Sequence, residues 1–284
     1  MNELVSRVQA ACANQPDWLK EKRQLAATLL ARFSTGQEEK TFTDAWEHKI
    51  NTSFVDEQPL PTIDGLVNLP LSMAMQHYPS LCQENLMEKG LFWQDSQLNA
   101  FHLALLNGGR FLYLPNDHQV NSPVTLTGKL TATNYHTLVI VGSHCHLTVK
   151  DQRDWTSNEP LFSGIELLVG AHSTVSYIYT GHLQGPQNWL GLHAYQAYGA
   201  QLRVMASPQV TSSATVDLQS KLDGDDSRGT VIAVHAAGCG QYSTILGVND
   251  HRVGGNYQPQ RQMIAKGDEQ KLSISKLFAG DGES

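Results

Sequence analysis

The chain has 284 residues, 40% of them hydrophobic and 17% charged, with a formal net charge of −7. That length allows one large domain, or a main domain with a smaller one, and enough apolar material for a core. An acidic balance without a basic block excludes a nucleic-acid surface, and no run reaches the roughly 18 apolar residues of a membrane span.

The opening stretch MNELVSRVQAACANQPDW lacks the apolar core of a signal peptide. Cys12, Cys82, Cys145 and Cys239 stand far apart with no CxxC pair. That is the usage of reduced thiols, so a soluble cytoplasmic protein is expected. In DWLKEKRQLAATLLARF, Trp18, Leu19, Leu25, Leu29, Leu30 and Phe33 recur at helical spacing. Asp17 or its predecessors could cap that helix, and Gly36 follows as a stop. QPLPTIDGLVNLP reads as a polar, Pro-rich connection. LSMAMQHYPSLCQENLMEKG, interrupted by Pro79, reads as a broken or paired helix. In DSQLNAFHLALLNGG, Leu98, Phe101, Leu105 and Leu106 form one stripe, which Gly108 and Gly109 end.

From about residue 110 the pattern changes to short apolar or alternating runs: FLYLP, VTLTGKL, TLVIV, HLTVK, IELLVG, STVSYIY, QLRVMAS, TVIAVHA, STILGV and LSISKLF. Gly, Asn and Asp separate them, as in an all-β region. The expected division is a helical N-terminal domain over 1–107 and a β domain over 108–284. Gly142-Ser143, Gly170-Ala171, Gly199-Ala200 and Gly238-Cys239 each place a glycine and a small residue before a strand, at steps of 28, 29 and 39 residues. A period in this range predicts a solenoid, and strands without helices make it a parallel β-helix whose coils bury their inward side chains by stacking. A β-sandwich is the competing fold.

GSHCHLTVKD brings three metal-ligand types together. On a strand, Val139, Val141, Cys145, Leu147 and Val149 share one parity, while His144, His146 and Thr148 share the other. Cys145 is therefore expected inside as a small hydrophobe and the two histidines outside. A metal would need a third ligand from a neighbouring coil, with His172 the conceivable donor. The plainer reading, outward polar positions without metal, is preferred. His182 and His193 read as polar positions on coil faces. Cys239, between Gly238 and Gly240, fits a tight corner. In LDGDDSRG, Asp223, Asp225 and Asp226 could serve acid–base chemistry, or simply form a solvated turn. No Walker A, Rossmann or GxSxG pattern occurs.

NAFHLALLNGGRFLYLPNDHQVNSPVTL resembles the junction in the SufB/SufD family of iron–sulfur cluster assembly proteins, where a helix leads through glycine into a strand, a polar turn and a second strand. TFTDAWEHKINTSF resembles the segment those proteins place after their first helices, reduced here to Asp44-Ala45-Trp46-Glu47-His48-Lys49-Ile50. GCGQYSTILGVNDHRVGGNYQPQRQMIAKGDEQKLSISKLFAG resembles a later segment, in which Asp250 and His251 match the family's polar positions, while its serine is replaced near Asn256 to Gln258. The short leader before the first helix is most like SufD.

The resemblance implies a right-handed parallel β-helix behind a helical domain. It implies a scaffold that is not itself an enzyme, pairs with a SufB-like subunit and docks a SufC-like ABC ATPase. Any iron–sulfur cluster would be held only transiently, through the complex. Family members continue beyond the segment matching Phe278–Ser284 through further coils and C-terminal helices. Those parts carry an assembly histidine, pairing strands and the ATPase docking surface, and nothing here matches them. The sequence thus reads as a fragment or a short member, and open solenoid edges are expected to favour self-association. The runner-up functions are a β-helix carbohydrate-active enzyme using Asp225 or Asp226, and a plain protein-interaction module.

Overall fold

The computed structural model describes residues 2–33, 43, 44, 46, 54, 55, 63, 65–234, 241–250, 274 and 275. Helices come first: α1 (Asn2–Ala11), α2 (Asp17–Leu29) with a 3-10 turn at Leu30–Arg32, α3 (Leu71–His77), α4 (Pro79–Asn85) and α5 (Gln97–Leu105). The paired helix expected around Pro79 is α3 and α4, with the proline at the first position of α4, where no N–H is missed. A short strand, β1 (Val67–Pro70), precedes α3.

The remaining strands wind as coils. The first is β2 (Gly108–Leu114), β3 (Val124–Leu126) and β4 (Lys129–Leu130); the second is β5 (Asn134–Val141), β6 (His146–Asp151) and β7 (Asp154–Thr156). The third is β8 (Leu161–Val169), β9 (Thr174–Tyr179) and β10 (His182–Gln184), and the fourth is β11 (Gln187–Gln196), β12 (Gln201–Ala206) and β13 (Gln209–Val210). β14 (Ser213–Leu222) and β15 (Arg228–Ala233) start the fifth, and β16 (Gln241–Asp250) and β17 (Ile274–Ser275) extend the first sheet. Equivalent strands stack in parallel into three sheets, giving a β-solenoid of about five turns, as the repeat predicts.

Each coil turns from the first sheet to the second through a left-handed residue. Asp117, His144, His172, Gly199 and Asp226 have φ between 57° and 63°, at steps of 27, 28, 27 and 27 residues. Asn, Asp and His are the non-glycine residues that tolerate this region best. Just before it, the N–H groups of Gly142, Gly170, Ala197 and Gly224 each donate to the preceding coil, at 2.8–3.1 Å. The repeat unit is thus Gly142, Gly170, Ala197, Gly224. Gly199 lies two residues further along, at the left-handed position itself, which is why a 29-residue step shows in the glycine spacing. Gly238 and Cys239 lie outside the described residues.

Two cores result. Leu147, Val149, Ile165, Leu167, Leu192, Val204, Leu218 and their neighbours fill the solenoid. The second core lies between the helices and the outer face of the first sheet, where Leu86, Leu103 and Leu105 meet Phe111, Leu138, Phe162, Leu168 and Trp189. Covered on both sides, β8 is buried at every position, whereas β14 alternates. β1 is antiparallel to β2, so the stretch expected as a connection supplies an edge strand to that sheet. Trp46 is sealed beneath the helices, its ring 5.4 Å from Phe162 and its N–H donating to Pro160 O. α2 corrects one expectation. Leu25 is 47% exposed, and the buried stripe runs through Leu19, Arg23, Ala26 and Ala27. Arg23 is buried because its guanidinium donates twice to Ala104 O, at 3.0 and 2.8 Å, where the end of α5 leaves carbonyls unpaired.

Candidate functional site

The seam between α5 and the first sheet is apolar except for one line of polar side chains. Register sets its spacing. His136, Gly164, Gly191 and Asp217 form one row across β5, β8, β11 and β14, while Leu138, Glu166, His193 and Gln219 form the next. His102, in the middle of α5, drops into the space over Gly164. A Cβ there would lie 2.5 Å from His102 Nε2, so only glycine permits the approach.

The hydrogen bonds assign the tautomers. Asn134 Nδ2 donates to His102 O at 3.0 Å, which turns Asn134 Oδ1 toward the His102 ring, so His102 Nδ1–H donates to it. His102 Nε2 must then accept, and its partner 3.0 Å away is His136 Nδ1–H. His136 Nε2 lies 3.5 Å from Glu166 Oε2, an electrostatic contact beyond hydrogen-bonding geometry. Glu166 takes three backbone donors: Met87 at 2.7 Å on Oε2, Gly90 at 2.8 Å and Lys89 at 3.2 Å on Oε1. Met87, at φ 56°, turns the chain after α4 so that these amides converge. All three titratable side chains are fully buried. Burial, then the neighbouring His136, holds His102 well below the ordinary histidine range, against the pull of the Asn134 hydrogen bond.

Toward the rim, His193 Nε2 pairs with Asp217 Oδ2 at 2.9 Å, and Gln219 donates to the other Asp217 oxygen at 2.8 Å. Burial opposes the His193 charge, but Asp217 outweighs it and raises this histidine. Lys22 donates to Leu86 O and pairs with Glu88; burial pulls it below the usual lysine range despite that partner. Chemically the seam can hold and share protons while tying helices to sheet.

A second polar group sits inside the solenoid. Arg153 donates to both Asp151 oxygens, at 2.8 and 2.6 Å, to Tyr135 Oη at 3.0 Å and to Thr137 Oγ1 at 2.9 Å. Tyr177 Oη donates to Asp151 at 2.8 Å. Burial alone would lower Arg153, but Asp151 and the two tyrosines more than reverse it, so the guanidinium stays charged.

No protein-family model matches the chain. Over 120 residues, 40% of this chain and 28% of the relative, it is 29% identical to the iron–sulfur cluster assembly protein SufD of Bacillus subtilis. Over 63 residues, 22% of this chain and 14% of the relative, it is 38% identical to a SufBD family iron–sulfur cluster assembly protein of Pyrococcus horikoshii. The chain is similar to SufB/SufD proteins. The matched segments span less than a third of either relative's length.

Of the residues singled out by sequence, His193 lies at the rim of the seam and the others fall elsewhere. Cys145 is buried, with its thiol on Pro115 O at 2.9 Å, and His144 and His146 are exposed, as alternation requires. The stretch is not one strand, however: His144 occupies the corner and β6 starts at His146. His144 and His172 sit one above the other on adjacent coils, their rings stacked at 5.1 Å and 17° rather than converging. Among the described residues no group of three His, Cys, Asp or Glu side chains could hold a metal ion. Asp225 and Asp226 are exposed at the last corner, where Asp226 accepts from Tyr198 Oη at 3.3 Å. His182 bridges Asp154 and Gln209 on neighbouring coils, each at 2.7 Å. Asp250 is the last residue of β16, and His251 lies outside the described residues.

The seam residues His102, His136 and Glu166 escape a search for motifs because three separate segments supply them. Their signal is local: Glu166 is the one charge in LFSGIELLV, and His102 the one ionisable group in QLNAFHLAL. Charges and imidazoles in such runs are rarely buried without a partner.

Proposed function

We propose that this chain is a SufD-like scaffold component of cytoplasmic iron–sulfur cluster assembly, acting with a SufB-like subunit and a SufC-like ABC ATPase, and not itself an enzyme. The observation that carries the proposal is a parallel solenoid under a helical layer in a chain that partly matches proteins named for this process. A solenoid stacks its coils into long rigid faces and edges, which suit pairing with other proteins better than enclosing a small substrate. The cluster is the cargo of the complex, and ATP is turned over by the partner. None of the described helices is long and apolar enough to cross a membrane.

Co-expression with a SufB-like protein and an ABC ATPase from the same genome tests this. Affinity purification of the tagged chain is expected to bring down both. Elution of the tagged chain alone, while the other two bind each other, would contradict it.

A further inference from the structure

We propose that the His102–His136–Glu166 seam is an acid-sensitive latch, in which a second ring proton on His102 releases α5 from the first sheet while the solenoid stays folded. The geometry fixes how many protons the pair can hold. Asn134 Oδ1 requires a proton on His102 Nδ1, and the 3.0 Å contact then requires His102 Nε2 to be bare and His136 Nδ1 to carry a proton. His136 Nε2 faces Glu166 Oε2 at 3.5 Å. A proton on His102 Nε2 would set N–H against N–H and place an unpaired imidazolium inside an apolar seam.

The surroundings offer that charge no relief. On His102, β8 presents the Phe162 ring, stacked at 4.1 Å, and the Gly164 backbone. From β5 come only Asn134 and His136, and the carboxylate of β8, Glu166, is already engaged by His136 and three amides. From α2 come two cations, Arg23 on Ala104 O and Lys22 beside Leu86 and Glu88. At the rim, His193 is paired with Asp217. His136 is fixed in a central strand, so the part that yields is α5. α2 follows it, because Arg23 is anchored on the last turn of α5. The 87–90 turn stays, because three of its amides are bound to Glu166 on β8.

The direction of the pH effect follows. His102 is lowered in the folded chain from an ordinary 6.5. The unfolded or opened chain therefore takes the proton first. The latch is intact above that ordinary value and is lost as pH falls below it.

Hydrogen-exchange mass spectrometry of the whole chain, read as protection factors between about pH 7.5 and about pH 5.5, is the test. Peptides of α5 and α2 are expected to lose protection by up to about tenfold, while β8, β11 and the 87–90 turn keep theirs. His102→Phe, which retains the stack on Phe162 but cannot titrate, should abolish the response. Unchanged α5 protection in the wild type, or a response that persists in His102→Phe, would overturn the proposal. Should that variant not fold, imidazole 15N shifts of the wild type decide: a neutral, Nδ1-protonated His102 at neutral pH supports the latch, and a charged His102 there refutes it.

Discussion

Arg153 and Asp151 hold full charges inside a solenoid otherwise filled with aliphatic and aromatic side chains, at 1% and 0% side-chain exposure. Such a pair is tolerable because every charged atom has a partner, and it is intolerant of losing one. Asp151→Asn or Arg153→Met alone is expected to destabilise the protein by about 3–5 kcal/mol, since each leaves the other charge buried and uncompensated. The double variant should cost at least about 1 kcal/mol less than the sum, read by urea denaturation. Additive losses would show that the two residues act separately. The seam was hard to read from sequence because parity tells which way His136 or Glu166 faces, but not that a layer of helices covers that face. On β5 and β8 an outward residue is therefore dry. Asp151 shares the inward parity of Leu147 and Val149, and what parity does not show is the partner, Arg153, that makes its burial possible. Where no helices lie, His144 and His146 are exposed, as parity predicts.

At the scale of elements, the coil corner is the feature that glycine and small residues announce most clearly. Gly170 rests on the coil below, where an added Cβ would stand 2.5 Å from the carbonyl carbon and oxygen of Gly142. Backbone cannot move aside as a side chain can. Gly170→Ala is therefore expected to cost about 2 kcal/mol or more, whereas His144→Gly, at a left-handed position open to solvent, should stay within about 1 kcal/mol of wild type in thermal denaturation. Equal effects would mean that the corners are not close-packed. α2 and α5 are legible from their helical spacing and the α3–α4 pair from Pro79, whereas α1 carries no such signal in the sequence analysis. The facing of α2 is not legible: Arg23 takes an inward place that Leu25 does not, because the end of α5 offers it a carbonyl. β1 was missed because four residues ending in proline, in a Pro-rich stretch, carry no alternation long enough to notice.

For the whole molecule, one sheet serves two cores. Its inner face closes the solenoid and its outer face carries the helices, so β5, β8 and most of β11 are buried on both faces while β14, in the same sheet, alternates. The solenoid itself was legible from its period, whereas the function rests on likeness over part of the chain together with this architecture. The measurement that tests it most directly is anaerobic cluster assembly on an apo-acceptor protein, using a cysteine desulfurase, a SufB-like subunit, an ABC ATPase, iron and cysteine, with and without this chain. Acceptor maturation several-fold faster with the chain present is the predicted result. A rate indifferent to the chain, at a concentration where the other components are saturating, would contradict it.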